Sequence, residues 1–381
     1  MARTDRTARI AASIARAQGV PDLVEILAGL EGSALGSVLL DVSRRRAARV
    51  TPREVSGAAA LPLFRASSAD GRLFHRFDAA ALAAAPGFEA RELAPVAPFG
   101  ACAALSGIDQ NNVLTASRRA EVLADPTLAL ALDAAARRKD PARRRAGPTR
   151  LCASARLVRM QSLAGAPAEL TPHFRLFALV TAGRDAGEHR FETEALAEHV
   201  LAWLRLAERL RQDGFRVGRA EVEIADVEAV SALCRAHGID PSEVRALAAA
   251  HRLGAASEAL ARRGLALPSE VEDPRRDLGH LHARLPLAAA LRLDRVRERV
   301  FPALLAGFPG TKLRLDLSRL EGLGYYAGLA LRIRLEGPAG PLPVIDGGFT
   351  AWTQALLADR KERLLASAIG SEMVCKAYAP A

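Results

Sequence analysis

Several strand-forming segments of this chain follow one another directly, without a helix between them. Residues 151–160 (LCASARLVRM) and 173–183 (HFRLFALVTAG) are typical of strands, and a loop containing Gly and Pro separates them. Residues 312–317, 325–336 and 341–348 form a second succession of strand-like segments. Strands joined without a crossover helix pair antiparallel, whereas each parallel pair needs such a crossover. The order therefore predicts an α+β fold with an antiparallel sheet, and argues against a doubly wound parallel sheet.

Helical patterns flank these strands. Residues 22–48 predict one or two amphipathic helices, and residues 191–212 predict a helix with an acidic start and a basic end. A further helix is expected to begin at Asp125-Pro126-Thr127, because Pro is favoured in the first helical turn. Between residues 49 and 115, the segments 50–55 (VTPREV) and 73–78 (LFHRFD) are interpreted as short strands.

A run of short helical segments with Gly and Pro breaks occupies residues 227–270. Few residues there favour strands. We therefore predict a helical insertion at residues 226–285, which divides one core domain into a first part, residues 1–225, and a second part, residues 286–381.

The chain has no apolar run of the roughly 18 residues that a membrane-spanning helix needs, so no membrane association is expected. The N-terminus lacks the apolar stretch of a secretory signal. The four cysteines are widely scattered and form no CxxC pair, which predicts neither a metal site nor a disulfide framework. A reducing cytoplasm is the expected compartment.

The net charge of +10 raises RNA binding as one hypothesis. However, 49 of the basic residues are Arg and only four are Lys, a bias that indicates compositional drift of the source genome. The densest basic cluster, residues 137–145, is interrupted by Asp140-Pro141 and is typical of a solvated loop.

The first segment with chemical potential is the hairpin formed by residues 151–160 and 173–183. Alternate residues of a strand share a face, so His173 and Arg175 are expected to point the same way. A guanidinium there, or that of Arg159, could hold a phosphate or carboxylate through two hydrogen bonds. A surface hairpin with solvated arginines is the structural alternative.

Two further segments follow. Residues 320–329 (LEGLGYYAGL) place Tyr325 and Tyr326 together among glycines, in a chain with only three Tyr. Such a pair can orient a polar ligand in an apolar pocket, although one core and one surface Tyr at a turn would look the same. The third segment has two parts. Residues 344–349 (VIDGGF) are typical of a strand with a Gly-Gly turn, and residues 368–373 (AIGSEM) contain a further Gly.

In this order, the three segments resemble the class II aminoacyl-tRNA synthetases, the histidyl branch most closely. The resemblance implies that Arg159, Gln161, His173 and Arg175 lie where the family's motif 2 binds phosphate or carboxylate. It implies an amino-acid pocket at Glu121, Tyr325, Tyr326 and Glu372, and ATP with Mg²⁺ as the cofactor that such a core could use. It also implies a homodimer that pairs through the motif 1 helix and strand, placed here at residues 22–55.

Several positions depart from the family pattern. Glu321 replaces the catalytic Arg, Gly324 replaces an Asp, Leu179 replaces a Gln that helps to hold histidine, and Met373 replaces the Arg that stacks on adenine. An acidic side chain facing a developing phosphate charge would oppose catalysis. No catalytic residue is therefore assigned. The eight residues after Met373 leave no room for the family's anticodon-binding domain, so no tRNA substrate is expected.

These departures favour a histidyl-tRNA synthetase paralogue that does not charge tRNA. The resemblance includes one such case, the regulatory subunit of ATP phosphoribosyltransferase in histidine biosynthesis, and implies a catalytic phosphoribosyltransferase subunit as partner and an amino acid as ligand. The alternative is an enzyme that activates an amino or carboxylic acid with ATP and transfers it to a small molecule or carrier. The sequence does not decide whether the chain is an enzyme.

Overall fold

A computed structural model describes residues 2–161, 171–249 and 253–380. The chain divides into two units, the first comprising residues 1–68, 94–125 and 156–174, and the second residues 69–93, 126–155 and 175–381. The predicted tip of the hairpin between residues 161 and 171 lies outside the described residues. No helix among the described residues is long and apolar enough to cross a membrane.

The helices are α1 (Ala2–Ala17), α2 (Leu23–Gly29), α3 (Gly32–Ala47), α4 (Pro52–Ala59), α5 (Gly71–Ala84), α6 (Pro126–Arg138), α7 (Pro141–Arg145), α8 (Arg190–Gln212), α9 (Val227–Ala236), α10 (Pro241–Ala249), α11 (Leu253–Ala261), α12 (Pro274–Asp277), α13 (Leu287–Arg295), α14 (Phe301–Gly307), α15 (Trp352–Leu357) and α16 (Ser371–Ala377). Single π-helical turns lie at Cys102–Ser106 and Val296–Val300. Short 3₁₀ helices lie at Gln110–Asn112 and Gly279–Arg284.

The strands are β1 (Glu89–Ala90), β2 (Val96–Pro98), β3 (Thr115–Ala116), β4 (Ala120–Val122), β5 (Thr149–Val158), β6 (His173–Arg184), β7 (Ala220–Asp226), β8 (Lys312–Leu315), β9 (Leu329–Gly337), β10 (Gly340–Thr350) and β11 (Glu362–Ile369).

Eight of these strands form one sheet in the order β1-β5-β6-β11-β10-β9-β7-β8. The four pairings from β6 through β11, β10 and β9 to β7 are antiparallel, and the outer pairs β1–β5 and β7–β8 are parallel. The predicted α+β class with a mainly antiparallel sheet is therefore confirmed. The last strand in sequence, β11, lies in the interior of the sheet between β6 and β10.

The long helix α8 packs on this sheet through its apolar stripe, which buries Leu196, Val200 and Trp203. A buried polar network crosses the same interface. His199 contacts Thr181 Oγ1 through Nε2 at 2.9 Å and Ser367 Oγ through Nδ1 at 2.8 Å. Each buried polar group thus has a partner, as stability requires.

The first unit contains α1–α4 and a three-stranded sheet in the order β2-β4-β3. The helices α2, α3 and α4 bury none of their residues. A local signal marks the start of α4: Thr51 and Glu54 make a reciprocal capping box, with Pro52 at the first helical position.

Two strand predictions are wrong. Residues 50–55 begin α4, and residues 73–78 lie within α5, whose core-facing residues Phe74, Phe77 and Ala81 recur at helical spacing. The placement of a helix and strand for dimerisation at residues 22–55 is wrong for the same reason, because that range holds α2, α3 and the start of α4. A helix followed by a strand of the large sheet occurs instead at α5 and β1.

The helix start at Pro126, the long helix α8 and the strands of the hairpin are confirmed. The run of short helices predicted over residues 227–270 is confirmed as α9, α10 and α11. The insertion boundaries at residues 226 and 285, and the division of the core around them, stay predictions.

Candidate functional site

In the first unit, Arg159 follows the end of β5. Its Nε donates to the carbonyl of Ala124 at 2.9 Å, and its Nη2 lies 3.4 Å from Asp125 Oδ2. The guanidinium also stands 5.4 Å from the ring centroid of Phe174, a cation–π distance. The predicted phosphate-binding cation therefore already has a carboxylate of its own chain as partner.

Both ring nitrogens of His173 are engaged. Nε2 lies 2.7 Å from the carbonyl oxygen of Arg65, and because a carbonyl only accepts, Nε2 carries the proton. Nδ1 then accepts from Nη1 of Arg156 at 2.9 Å. Gln161, also predicted to bind phosphate or carboxylate, is exposed. The binding role of these two residues stays a prediction.

Glu121 is fully buried on β4. Its carboxylate accepts from the backbone N–H groups of Gly100 and Cys102, both at 2.9 Å. Burial by itself raises the pKa of Glu121, but hydrogen bonds from Cys102 and Gly100 outweigh it and hold the pKa below the usual value. Glu121 thus anchors the π-helical turn after Gly100, a structural task that uses both of its oxygens.

In the second unit, Arg175 lies on β6 within a closed set of hydrogen bonds. Its Nη2 donates to Asp78 Oδ2 at 2.6 Å and its Nε to Ser154 Oγ at 3.0 Å. Ser154 in turn donates to Asp78 Oδ1 at 2.7 Å. The guanidinium stands 5.7 Å from the ring centroid of Phe74. Like Arg159, Arg175 has an internal carboxylate partner.

The two predicted tyrosines are in contact. The rings of Tyr325 and Tyr326 meet edge to face with centroids 4.9 Å apart, and Tyr325 meets Trp352 in the same way at 5.7 Å. The Tyr326 ring lies between two glycines: a Cβ on Gly322 or on Gly348 would come within 2.5 Å or 2.6 Å of ring carbons. Glycine at both positions is therefore required for the ring to fit.

Asp346 on β10 joins the Tyr326 hydroxyl to two arginines. Arg319 Nη2 donates to both carboxylate oxygens, at 2.9 and 2.8 Å, and Arg332 Nε lies 3.4 Å from Oδ2. Arg332 Nη1 also lies 3.5 Å from Glu321 Oε1. Glu321, at the position where the resemblance implies a catalytic Arg, therefore contacts the guanidinium of Arg332 on β9.

Glu372, the remaining predicted pocket residue, lies in the first turn of α16. It is 3% exposed, and its Oε1 lies 3.0 Å from Nζ of Lys376, one turn further along the helix. The structure thus brings Tyr325 and Tyr326 together, and it gives Arg175 and Glu372 separate sets of hydrogen-bond and ion-pair partners in the same unit. Arg159, Gln161, His173 and Glu121 belong to the first unit.

Sequence reasoning did not identify Asp346, Arg319 or Asp78. Asp346 lies directly before the Gly-Gly pair, which is a local signal. Arg319 and Asp78 carry no such local signal, because the oppositely charged side chain that each of them bonds lies more than 20 positions away in the sequence. Among the described residues, no group of three or more His, Cys, Asp or Glu could hold a metal ion.

No protein-family model and no curated protein sequence matches this chain. Solved structures do. An ATP phosphoribosyltransferase regulatory subunit/histidyl-tRNA synthetase from Bacillus halodurans matches at 15% identity and TM-score 0.59, over 81% of this chain and 79% of that chain. Histidyl-tRNA synthetase from Nostoc sp. PCC 7120 matches at 16% identity and TM-score 0.58, over 81% and 72%.

A histidine–tRNA ligase subunit from Alicyclobacillus acidocaldarius matches at 16% identity and TM-score 0.58, over 83% of this chain and 95% of that chain. Identities this low establish a shared fold and leave the activity open. The predicted class II synthetase-like core of the histidyl type is therefore confirmed as a fold.

Proposed function

We propose that this chain is a histidyl-tRNA synthetase paralogue that does not charge tRNA, and that it serves as a regulatory or ligand-binding subunit. One observation carries the proposal: Arg159 and Arg175, the arginines expected to bind phosphate, each pair with an aspartate of the same chain. A phosphate placed on Arg159 would also approach Asp125, and repulsion between the like charges would weaken binding.

The residues present do not fit ATP. Met373, at the position of the adenine-stacking arginine, has an apolar side chain that is 42% exposed. Glu321 brings a negative charge to the position of the catalytic arginine. ATP with Mg²⁺ is therefore an implication of the resemblance that we do not propose for this chain, and no catalytic step is assigned to it.

The partner follows from the same proposal. One matched structure, that from Bacillus halodurans, is an ATP phosphoribosyltransferase regulatory subunit/histidyl-tRNA synthetase, which supports the kind of role proposed here. We propose a catalytic phosphoribosyltransferase subunit as the partner, a homodimer as the form of this chain, an amino acid as its ligand, and the cytoplasm as its location.

Two measurements test the proposal together. The first mixes the purified chain with the short catalytic phosphoribosyltransferase of the same organism and follows co-elution and ATP phosphoribosyl transfer, with and without histidine. We expect a complex whose activity responds to histidine. A catalytic subunit that elutes alone and is unaffected by this chain would contradict the assignment of the partner.

The second measurement is the exchange of labelled pyrophosphate into ATP in the presence of each amino acid. We expect no exchange. Exchange with any acid would contradict the proposal and favour the alternative, an enzyme that activates an acid for transfer to a small molecule or carrier.

A further inference from the structure

A polar cavity of about 210 Å³ lies in the second unit, beside the N-terminal turn of α8. Its walls come from that turn, from α13, from the start of β9 and from the end of β10. Tyr325 and Tyr326 do not line it. The cavity is therefore separate from the predicted amino-acid pocket.

One carboxylate oxygen in this cavity wall has no partner. Glu192 is 7% exposed, and its Oε1 accepts from Nε of Arg363 at 3.0 Å. Its Oε2 is buried and has no hydrogen-bond partner among the described residues. Leaving a charged acceptor buried without a donor costs free energy, which a ligand donor would remove.

A second unpartnered group lines the same cavity. Thr350, at the end of β10, is 3% exposed, and its Oγ1 has no hydrogen-bond partner in the described part of the chain. A hydroxyl can both donate and accept. Two buried polar atoms without partners around one cavity are more readily explained by a bound polar molecule than by packing.

The charges around the cavity leave an excess of negative charge. Arg363 is held between Glu192 and Asp185, with its Nη2 2.9 Å from Asp185 Oδ2. The cluster keeps one negative charge when Asp185, which is bonded to Arg363 but does not line the cavity, is counted.

A second cluster of charges repeats the arrangement. Arg292 donates to Asp226 Oδ2 and to Glu228 Oε2, both at 2.7 Å, so two carboxylates again face one guanidinium. His189 also lines the cavity. Burial lowers the pKa of this histidine, so at neutral pH it adds no compensating charge.

We propose that this cavity binds a small organic cation that carries N–H donors, with one N–H donated to Glu192 Oε2. Thr350 Oγ1 then accepts a second N–H or donates to another polar atom of the ligand. The site is independent of the proposed function, because it requires neither ATP nor a protein partner. Since the whole chain has a net charge of +10, general attraction of cations to its surface is weak, and binding would report a local site.

The test compares three probes of five heavy atoms each: n-butylammonium, tetramethylammonium and 1-butanol. Titration calorimetry on the full chain measures their affinities. We expect n-butylammonium to bind at least tenfold more tightly than the other two, because tetramethylammonium has the charge without N–H donors and 1-butanol has a hydroxyl without the charge. Equal affinities, or no binding by n-butylammonium, would overturn the proposal.

Matched variants locate the site. Glu192→Gln removes the unpartnered carboxylate, and we expect it to weaken n-butylammonium binding at least tenfold. Glu194→Gln changes an exposed glutamate of the same helix and should leave binding within twofold. Binding that is unchanged in Glu192→Gln would place the cation elsewhere. If Glu192→Gln does not fold, the three-probe comparison on the unaltered chain still decides whether a cation site exists.

Discussion

The Tyr326 hydroxyl donates a hydrogen bond of 2.7 Å to Asp346 Oδ1. Tyr326 lies just before β9, and Asp346 lies on β10, which pairs with β9. Burial and the negative charge of Asp346 raise the pKa of Tyr326 well above its ordinary value, so the hydroxyl remains a donor throughout the working pH range. This bond fixes the ring between Gly322 and Gly348, and the first prediction follows from that close fit.

Gly348→Ala should destabilise the protein. The added Cβ would lie 2.6 Å from the Tyr326 ring and 3.1 Å from the backbone of Ala330, so the ring or the strand has to move. Overpacking of this kind costs about 1–3 kcal/mol. Urea unfolding measures the loss. Gly310→Ala is the control, because its Cβ would meet nothing within 4 Å, and an equal loss in both variants would contradict the prediction.

Arg138→Met should destabilise more strongly. Arg138 and Glu362 are 1% and 0% exposed, and their closest atoms are 2.7 Å apart. Removing one member of a buried pair typically costs about 3–5 kcal/mol, because the other charge loses its partner. Arg144, which also contacts Glu362, compensates in part.

The matched control is Arg143→Met. Arg143 is 61% exposed and lies 3.9 Å from Asp140. Exposed pairs of this kind contribute at most about 1 kcal/mol. Thermal unfolding of both variants should therefore separate them clearly, and a loss for Arg143→Met that matched the loss for Arg138→Met would show that burial of the ion pair is not the cause.

Acid should destabilise the protein through His199. Burial lowers the pKa of His199 to about 3, whereas an unfolded histidine has a pKa of about 6.5. Between these values the unfolded chain binds a proton that the folded chain does not. The free energy of unfolding therefore falls by about 1.4 kcal/mol for each pH unit of acidification from this residue alone.

His199→Gln removes this dependence. Between pH 6 and pH 5, the slope of unfolding free energy against pH should be smaller in the variant than in the original chain by about 1.4 kcal/mol per unit. His280→Gln, at an exposed histidine, should leave the slope unchanged. Identical slopes in the His199 variant and the original would mean that His199 is protonated in the folded state.

The four thiols should react only after unfolding. Cys102, Cys152, Cys234 and Cys375 are each at most 1% exposed. Burial raises the pKa of Cys102 and Cys375 to about 12 and that of Cys152 to about 11, and it also raises that of Cys234. Since the thiolate is the reactive form, Ellman's reagent at pH 8 should label fewer than one thiol in the native chain and four in urea. Rapid labelling of the native chain would contradict this.

Two predictions that rest on strong local signals are confirmed. The helix from Pro126 has a proline in its first turn, and α8 has a continuous apolar stripe with graded charge. The strand prediction at residues 50–55 is wrong because Thr51 and Glu54 form a capping box that starts a helix there. The strand prediction at residues 73–78 is wrong because the buried residues Phe74, Phe77 and Ala81 recur at helical spacing, a pattern that extends beyond this segment.

The site was only partly predictable for a different reason. The contact between Tyr325 and Tyr326 is local, but their surroundings depend on strand register. Asp346 is opposite Arg332 only because β10 pairs with β9 in one particular alignment. The neutralisation of Arg175 by Asp78 links residues 97 apart in the sequence. No pattern within a window of residues carries such information.

The interior position of β11 has a consequence for synthesis on the ribosome. Residues 362–369 are made after both of their neighbouring strands, yet they pair with β6 on one side and with β10 on the other. Until they emerge, β6 presents one unpaired edge and β10 another, and unpaired strand edges promote association between nascent chains. The sheet is therefore expected to be completed only after residue 369 has emerged, and ribosomes stalled before residue 362 would release chains that need chaperones.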